Sequence, residues 1–355
     1  MSAILELQIV EKVFETPLAA TLTLLVKNGP VAYHAGQFIT FIFNDLGPKE
    51  IRRSYSISSA PEGNDNYLAI TAKKIPNGLV SRYLVDQTSV GMTLFALKPS
   101  GKFICPPSKG IARDLIFFGA GSGITPLFSI IRDRLKREPA SKLTLVYANS
   151  NLKSVIFLEA LQRLARQFPE RLHIIHLISN LLENVPTSTN VESWNKRFSN
   201  QMMEGIVGKY LKHDIRQAQF FLCGPRLFML KAKSELRVMG VEEKQIHQET
   251  FVIIPPLKPD SENFPPATVL LIWAGKTYQF PVKSGQTILE AALNSGIILP
   301  YSCRSGICNT CAAECRDGIV KMYTQDGIFT SENTKGQVLT CVGYPLVEKI
   351  YLELF

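Results

Sequence analysis

Cys303-Arg-Ser-Gly-Ile-Cys308-Asn-Thr-Cys311, followed after 29 residues by Cys341, is the stretch from which the rest of this 355-residue chain can be read. The spacing C-x4-C-x2-C, then a distant Cys, is one of the thiolate sets that hold a [2Fe-2S] cluster. Ser302, Ser305 and Gly306 are small, so the loop between the thiols can wrap tightly and turn backbone N–H groups toward sulfur. Two other chemistries share these residues. Cys303, Cys308, Cys311 and Cys315 offer zinc four sulfurs, and Cys308-x2-Cys311 alone is a redox dithiol spacing. The flanks favour the cluster: a helical segment, Thr287 to Asn294, leads in, and a strand-like Val338-Leu-Thr-Cys341-Val342 carries the distant thiol. Cys315 reads as a small packed residue.

Upstream of this segment, residues 253–266 contain five prolines, which suits a semi-rigid linker better than a packed element. Net charge is +9, yet residues 267–355 carry seven basic and seven acidic side chains, so the whole excess belongs to residues 1–266. Those charges are scattered and not interleaved with aromatics, so a nucleotide cofactor or an acidic partner is expected and nucleic acid is not. No apolar run approaches the roughly 18 residues of a membrane helix, and Met1-Ser-Ala-Ile-Leu-Glu-Leu has no signal character. Seven cysteines, four of them grouped as ligands, do not suggest a disulfide framework. The expectation is a cytoplasmic protein without membrane insertion.

The body has two textures. Residues 1–108 alternate short apolar strands, such as Ala20–Val26, Gln37–Phe43 and Leu68–Ala72, with Gly/Pro turns; this predicts an antiparallel barrel. A helical piece, Gly78–Leu84, interrupts it. Residues 109–252 alternate strands and helices: Leu115–Phe118, a helix over 126–137, Leu143–Tyr147, a helix over 154–167, His173–Ile178 and Phe220–Cys223. That pattern predicts a parallel α/β domain. Residues 180–204 read as polar and irregular. The five histidines show no ligand spacing, and neither a Ser-His-Asp set nor a carboxylate pair is evident.

Five motifs bear chemistry. Arg53-Ser-Tyr55-Ser56 combines a cation for a pyrophosphate, a ring for stacking and a hydroxyl, a set apt for a flavin. Thr71-Ala-Lys73 and Gly78-Leu-Val80-Ser81 follow, the latter opening a helix, where phosphate binds readily. Gly119-Ala-Gly121-Ser-Gly123-Ile-Thr125-Pro126 joins a strand to a helix, the setting of a dinucleotide fingerprint, although Pro126 takes the place of its last Gly. Cys223-Gly224-Pro225-x3-Met229 ends a second buried strand, beside which a nicotinamide ring could lie.

In order and spacing these motifs, with Glu249-Thr-Phe251, resemble the ferredoxin–NADP reductase family, and residues 267–355 resemble a plant-type ferredoxin. The whole chain is similar to oxygenase reductases of the phenylacetyl-CoA epoxidase kind, and shares domain types with the phthalate dioxygenase reductase type. The resemblance implies a multidomain fold: an antiparallel β-barrel flavin domain (1–108), a parallel α/β nucleotide domain (109–252), a linker (253–266) and an α+β ferredoxin (β-grasp) domain (267–355). It implies that Arg53, Tyr55, Ser56, Thr71, Lys73, Gly78, Val80, Ser81, Thr125 and Phe251 line the flavin. It implies that Gly119, Gly121, Gly123, Cys223, Gly224 and Pro225 hold the coenzyme, and that Ser56, Cys223 and Glu249 surround the reacting atoms. It implies FAD, with FMN as the alternative, a [2Fe-2S] centre on Cys303, Cys308, Cys311 and Cys341, and an oxygenase component as the protein acceptor. The expected activity is transfer from NADPH to FAD, on to the cluster, and out one electron at a time. A redox sensor without turnover, or an NADH-dependent FMN reductase, would use the same motifs. The strand ending at Asn149 offers no carboxylate for a ribose 2′-OH; Ser150 and Lys153 follow it, which favours NADPH over NADH.

Overall fold

The computed structural model describes residues 4–48, 50–63, 66–108, 110–180, 188–251, 264–324 and 327–354. By internal contacts the chain divides into two units, Met1–Pro99 with Phe103–Val252, and Ser100–Lys102 with Ile253–Phe355. The first unit contains two sheets.

Strands β1 (Ile4–Thr16), β2 (Ala19–Val26), β3 (Phe38–Phe43), β4 (Ile51–Ser56), β5 (Tyr67–Lys73) and β6 (Thr93–Ser100) form an antiparallel sheet in the order β4-β3-β6-β1-β2-β5. β2 alternates buried and half-buried residues, as a strand with one face on a core must. An antiparallel bridge between Ile57 and Ile70 joins the two ends, so the sheet closes as a barrel around Leu7, Leu22, Ile39 and Ile70. The helical piece after β5 is short: α1 (Leu79–Arg82) runs into a wider turn at Tyr83–Gln87.

The second sheet is parallel throughout. β7 (Asp114–Ala120), β8 (Lys142–Asn149), β9 (Leu172–Ile178), β10 (Val191–Trp194), β11 (Gln219–Cys223) and β12 (Ile246–Glu249) lie in the order β10-β9-β8-β7-β11-β12. Its centre is apolar on both faces, with Leu115, Ile116, Phe117 and Phe118 fully buried, as parallel sheets require. Helices α2 (Ile124–Arg137), α3 (Leu158–Gln167), α4 (Asn200–Tyr210) and α5 (Arg226–Val238) accompany it. The segment expected to be irregular thus holds edge strand β10 and the start of α4; residues 181–187 lie outside the described set.

Helix α2 also grips the barrel. The Ser129 hydroxyl donates to the Ser59 carbonyl at 2.6 Å, and Arg137 Nη2 to the Pro61 carbonyl at 3.2 Å. At its end, Glu138 accepts from Arg113 Nη2 and Arg134 Nη1, each at 2.8 Å. Burial pushes the Glu138 carboxyl up, but these charged donors outweigh it and hold the group below its ordinary value.

The second unit has β13 (Ala267–Trp273), β14 (Lys276–Val282), α6 (Ile288–Asn294), β15 (Ala312–Asp317), β16 (Val320–Thr324), β17 (Gly327–Thr330), β18 (Gln337–Leu339), β19 (Gly343–Pro345) and β20 (Lys349–Leu354). A five-stranded mixed sheet, β14-β13-β20-β15-β18, packs with α6, and β17-β16-β19 forms a small second sheet. Thr287 and Glu290 close a capping box at the start of α6. The expected strand 338–342 is half right: β18 ends at Leu339, and Cys341 stands in the turn before β19. Of the expected linker, 253–263 lie outside the described residues. Phe264 is buried and stacks on Tyr344 with centroids 4.8 Å apart, so the end of that stretch is packed.

Candidate functional site: a flavin–nucleotide face and a four-thiol loop

Gly119 of β7, Cys223 of β11 and Glu249 of β12 stand opposite one another in one register row. Three motifs read separately in the sequence therefore meet at the carboxyl edge of the parallel sheet, where α/β proteins bind ligands. Two glycines make the meeting possible. A Cβ on Gly123 would lie 2.1 Å from the Cys223 carbonyl oxygen, so only Gly lets the turn approach that strand. Gly121 adopts φ +54°, the left-handed region, and its carbonyl accepts from the Tyr147 hydroxyl at 2.9 Å. Tyr147 is a residue that sequence reasoning passes over. It sits in an apolar run, yet its oxygen also accepts from the Ile156 N–H at 3.3 Å and pins the glycine turn from below.

Cys223 is fully buried. Burial first, then the neighbouring Glu249 charge, drive its thiol well above the ordinary value, so it is a neutral S–H and not a nucleophile. Thr125 is buried too; its hydroxyl donates to the Ser122 carbonyl at 3.0 Å and closes the glycine turn. Gly224 packs against Ala120, and Pro225 caps α5. Phe251 is 45% exposed.

From the barrel, Lys73 reaches the same place. Its ammonium lies 3.6 Å from where a Cβ on Gly121 would be, and burial lowers its pKa. Arg53, Tyr55 and Ser56 share β4. Arg53 is exposed, with Nη1 donating to the Arg52 carbonyl at 2.7 Å. Tyr55 is half-buried, its ring edge-on to Phe41 at 6.0 Å, and burial raises its hydroxyl pKa. Ser56 is buried. The Thr71 hydroxyl is engaged with Ser58 at 3.0 Å and Thr21 at 2.9 Å. Ser81 donates to the Gly78 carbonyl at 3.2 Å and accepts from the Ile75 N–H at 3.3 Å, closing the turn before Val80. Ser150 and Lys153 are exposed beyond the tip of β8, with Ser150 3.4 Å from Ser154. Just inside them the Asn149 amide is buried beside the Tyr147 hydroxyl.

In the second unit, four sulfurs come together. Hydrogen-bonding contacts pair Cys303 with Cys308 and Cys311 with Cys341, and Cys303 also meets Cys341. The Ser305 and Cys308 N–H groups both point at Cys303 Sγ, at 3.4 Å each, and the Cys303 N–H points at Cys308 Sγ at 3.5 Å. Contacts from Cys308 first, then Cys341, hold the Cys303 thiol far below its ordinary value, and the same sharing of protons pushes Cys308 and Cys341 above theirs, so the four thiols titrate as one set. The Ser305 and Thr310 hydroxyls are buried without a full hydrogen-bond partner and lie against Cys303 and Cys308. Four sulfurs in two pairs, with N–H and O–H donors around them, fit a two-iron, sulfide-bridged group. Cys315 stands apart on β15, its thiol donating to the Asp317 and Gly318 carbonyls at 3.3 and 3.4 Å, so the zinc set that includes it is not assembled.

Comparison with known proteins agrees. Residues 271–346 match the 2Fe-2S iron-sulfur cluster binding domain, and residues 117–234 match the oxidoreductase NAD-binding domain. The chain is 31% identical to the ferredoxin reductase component of 3-ketosteroid-9-alpha-monooxygenase from Mycolicibacterium smegmatis, over 98% of this chain and 96% of that protein. The chain belongs to the oxygenase reductase components. It is also 29% identical to one of the subunits of 1,2-phenylacetyl-CoA epoxidase from Escherichia coli, over 96% of this chain and 94% of that one. The crystal structure of phthalate dioxygenase reductase has the same fold, with TM-score 0.58 and 22% identity over 99% of this chain and 98% of that one. This reductase component is thus an oxidoreductase with its nucleotide domain and its iron–sulfur domain on one chain. No helix among the described residues is long and apolar enough to cross a membrane.

Proposed function

We propose that this reductase component takes electrons from NADPH at the carboxyl edge of the parallel sheet and delivers them through FAD and a [2Fe-2S] centre to an oxygenase component. The observation that carries the reading is the single register row of Gly119, Cys223 and Glu249, with Lys73 of the barrel brought against Gly121. FAD, when bound, accepts two electrons together and releases them singly, which a one-electron cluster requires. The chain's own residues bind, orient and exclude water. Arg53 supplies a guanidinium for the flavin diphosphate, Tyr55 a flat apolar face, and Ser56 a hydroxyl at the reacting edge. Thr71, Gly78, Val80, Ser81 and Thr125 shape the cradle: Ser81 and Thr125 close its turns on backbone carbonyls, and the five present main chain to the ligand. Gly121 and Gly123 let the coenzyme diphosphate lie on main-chain N–H groups at the start of α2. Gly224 and Pro225 border the nicotinamide, with Phe251 exposed nearby in sequence to cover the flavin. Cys223, neutral and buried, is a wall of that pocket, and Glu249 keeps a negative charge beside it. Ser150 and Lys153 border the adenosine half. Cys303, Cys308, Cys311 and Cys341 hold the cluster.

Seven thiols free of disulfides are in keeping with a reducing, cytoplasmic setting. The test is an absorbance spectrum of the purified protein, release and chromatography of its flavin, and steady-state reduction of cytochrome c by NADPH. Flavin and iron–sulfur bands with turnover support the reading. Both bands without turnover would make the chain a sensor, and released FMN would correct the flavin.

A further inference from the structure

Outside the residues so far given roles, a cavity of about 630 Å³ opens where β10 passes into α4. Trp194, Lys196, Arg197, Ser199, Gln201 and Met202 line it, and among the described residues no carboxylate does. We propose that this cavity receives the adenosine end of the nicotinamide coenzyme, and that Lys196 and Arg197 read its 2′-phosphate. The inference rests on the electron-transfer reading above and names what selects the coenzyme.

Among the described residues these two charges are uncompensated. Lys196 and Arg197 are exposed, and neither is engaged by an acidic side chain among the described residues. Lys209 of α4, by contrast, is spent on Glu192 at 3.0 Å. A compact ammonium next to a forked guanidinium is a phosphate-binding pair.

The aromatic wall is fixed in advance. Trp194 Nε1 donates to Glu192 Oε2 at 3.0 Å, and the same carboxylate is held by Lys209, by the Tyr210 hydroxyl and by His173 Nε2 at 3.1 Å. The indole is therefore presented to the cavity without a large ordering cost. The Ser199 hydroxyl is committed to capping α4 through the Met202 N–H at 3.4 Å. Phosphate-binding cations beside a preset aromatic face suit one molecule that carries both a phosphate and a flat base.

The position fits the coenzyme. Trp194 shares a register row with Leu177 of β9, Ala148 of β8 and Ala120 of β7. These parallel strands end at one edge, where Ala120 leads into the Gly121 turn. Three strand spacings, about 14 Å in all, separate β7 from β10, a separation that an extended dinucleotide can span from the Gly119–Cys223 row. The tip of β8 carries no carboxylate for a ribose 2′-OH, so nothing there selects against the phosphate.

The experiment is isothermal titration of the full-length, flavin- and cluster-loaded protein with 2′,5′-ADP and with 5′-AMP. The wild-type protein is expected to bind 2′,5′-ADP at least tenfold more tightly, and the double variant Lys196→Ala, Arg197→Ala to bind the two alike. Both side chains are on the surface, and the flavin and cluster absorbance of the variant reports that it is folded. A double variant that keeps the preference, a wild-type protein that shows none, or a preference abolished by Lys153→Ala alone would each overturn the assignment. Reduction of the flavin in the wild-type protein by NADPH or NADH tests the electron-transfer reading separately, so the two can fail independently.

Discussion

At the scale of single residues, the thiols divide by environment. Cys303, Cys308, Cys311 and Cys341 face one another, while the Cys315 thiol is tied to two backbone carbonyls. Ser at any of the four is expected to cost the iron–sulfur absorbance while flavin stays bound, and Cys315→Ser to leave both; the visible spectrum and iron content decide. Arg53→Ala is expected to lose flavin, since a charge-assisted phosphate contact contributes roughly 1.5–3 kcal/mol; equilibrium dialysis against FAD checks it. A third outcome concerns pH. His176 is buried beside Tyr147, and burial lowers its pKa to about 4. That lies below the ordinary 6.5, so between the two values the unfolded chain binds a proton that the folded chain refuses, and stability falls as pH falls from 6.5 toward 4. The loss should reach roughly 3 kcal/mol. Glu138, held below its ordinary carboxylate value, loses its contribution at lower pH still, so the windows separate. His176→Leu should flatten the upper window in denaturant unfolding of the first unit; an unchanged slope there would remove His176 as the cause. The cysteine spacing is legible in the sequence because ligand geometry fixes it. Whether the hydroxyls of Ser81 and Thr125 are free is not, since both are spent on backbone carbonyls that only the fold brings near.

At the scale of elements, the turn from β7 into α2 is the joint between coenzyme and sheet. Gly123→Ala would set a methyl 2.1 Å from the Cys223 carbonyl oxygen, and neither backbone can yield cheaply. A cost of roughly 1–3 kcal/mol is expected, together with a raised KM for the coenzyme, read by thermal unfolding and steady-state kinetics. Unaltered kinetics would detach this turn from the coenzyme. The main strands are legible because periodicity and length separate them from the helices: the barrel strands alternate, and the parallel strands are short apolar runs bounded by turns. Edge strand β10 is not, because Val191-Glu-Ser-Trp194 is brief and half polar, and its register comes from β9. Val338–Val342 looks like one strand in sequence, but the ladder ends at Leu339, and the Thr340 N–H and hydroxyl both donate to the Cys311 carbonyl at 3.2 Å, which turns Cys341 toward its partners.

At the scale of the whole molecule, the claim is that one chain converts a two-electron donor into a one-electron source. The iron–sulfur region carries equal numbers of basic and acidic residues and the body carries the excess of nine positive charges, so electrostatic attraction between them is weak. Covalent linkage should then matter, because a tether raises effective concentration toward the millimolar range. Cleavage at a protease site inserted within 253–263 is expected to preserve ferricyanide reduction and to make cytochrome c reduction depend on protein concentration; concentration-independent activity after cleavage would point to a docking surface instead. Anaerobic titration of the purified protein with NADPH, followed by absorbance and low-temperature electron paramagnetic resonance, tests this conversion directly. The flavin band is expected to bleach and the signal of a reduced [2Fe-2S] centre to rise with it. Bleaching of the flavin with no paramagnetic iron–sulfur signal would contradict it.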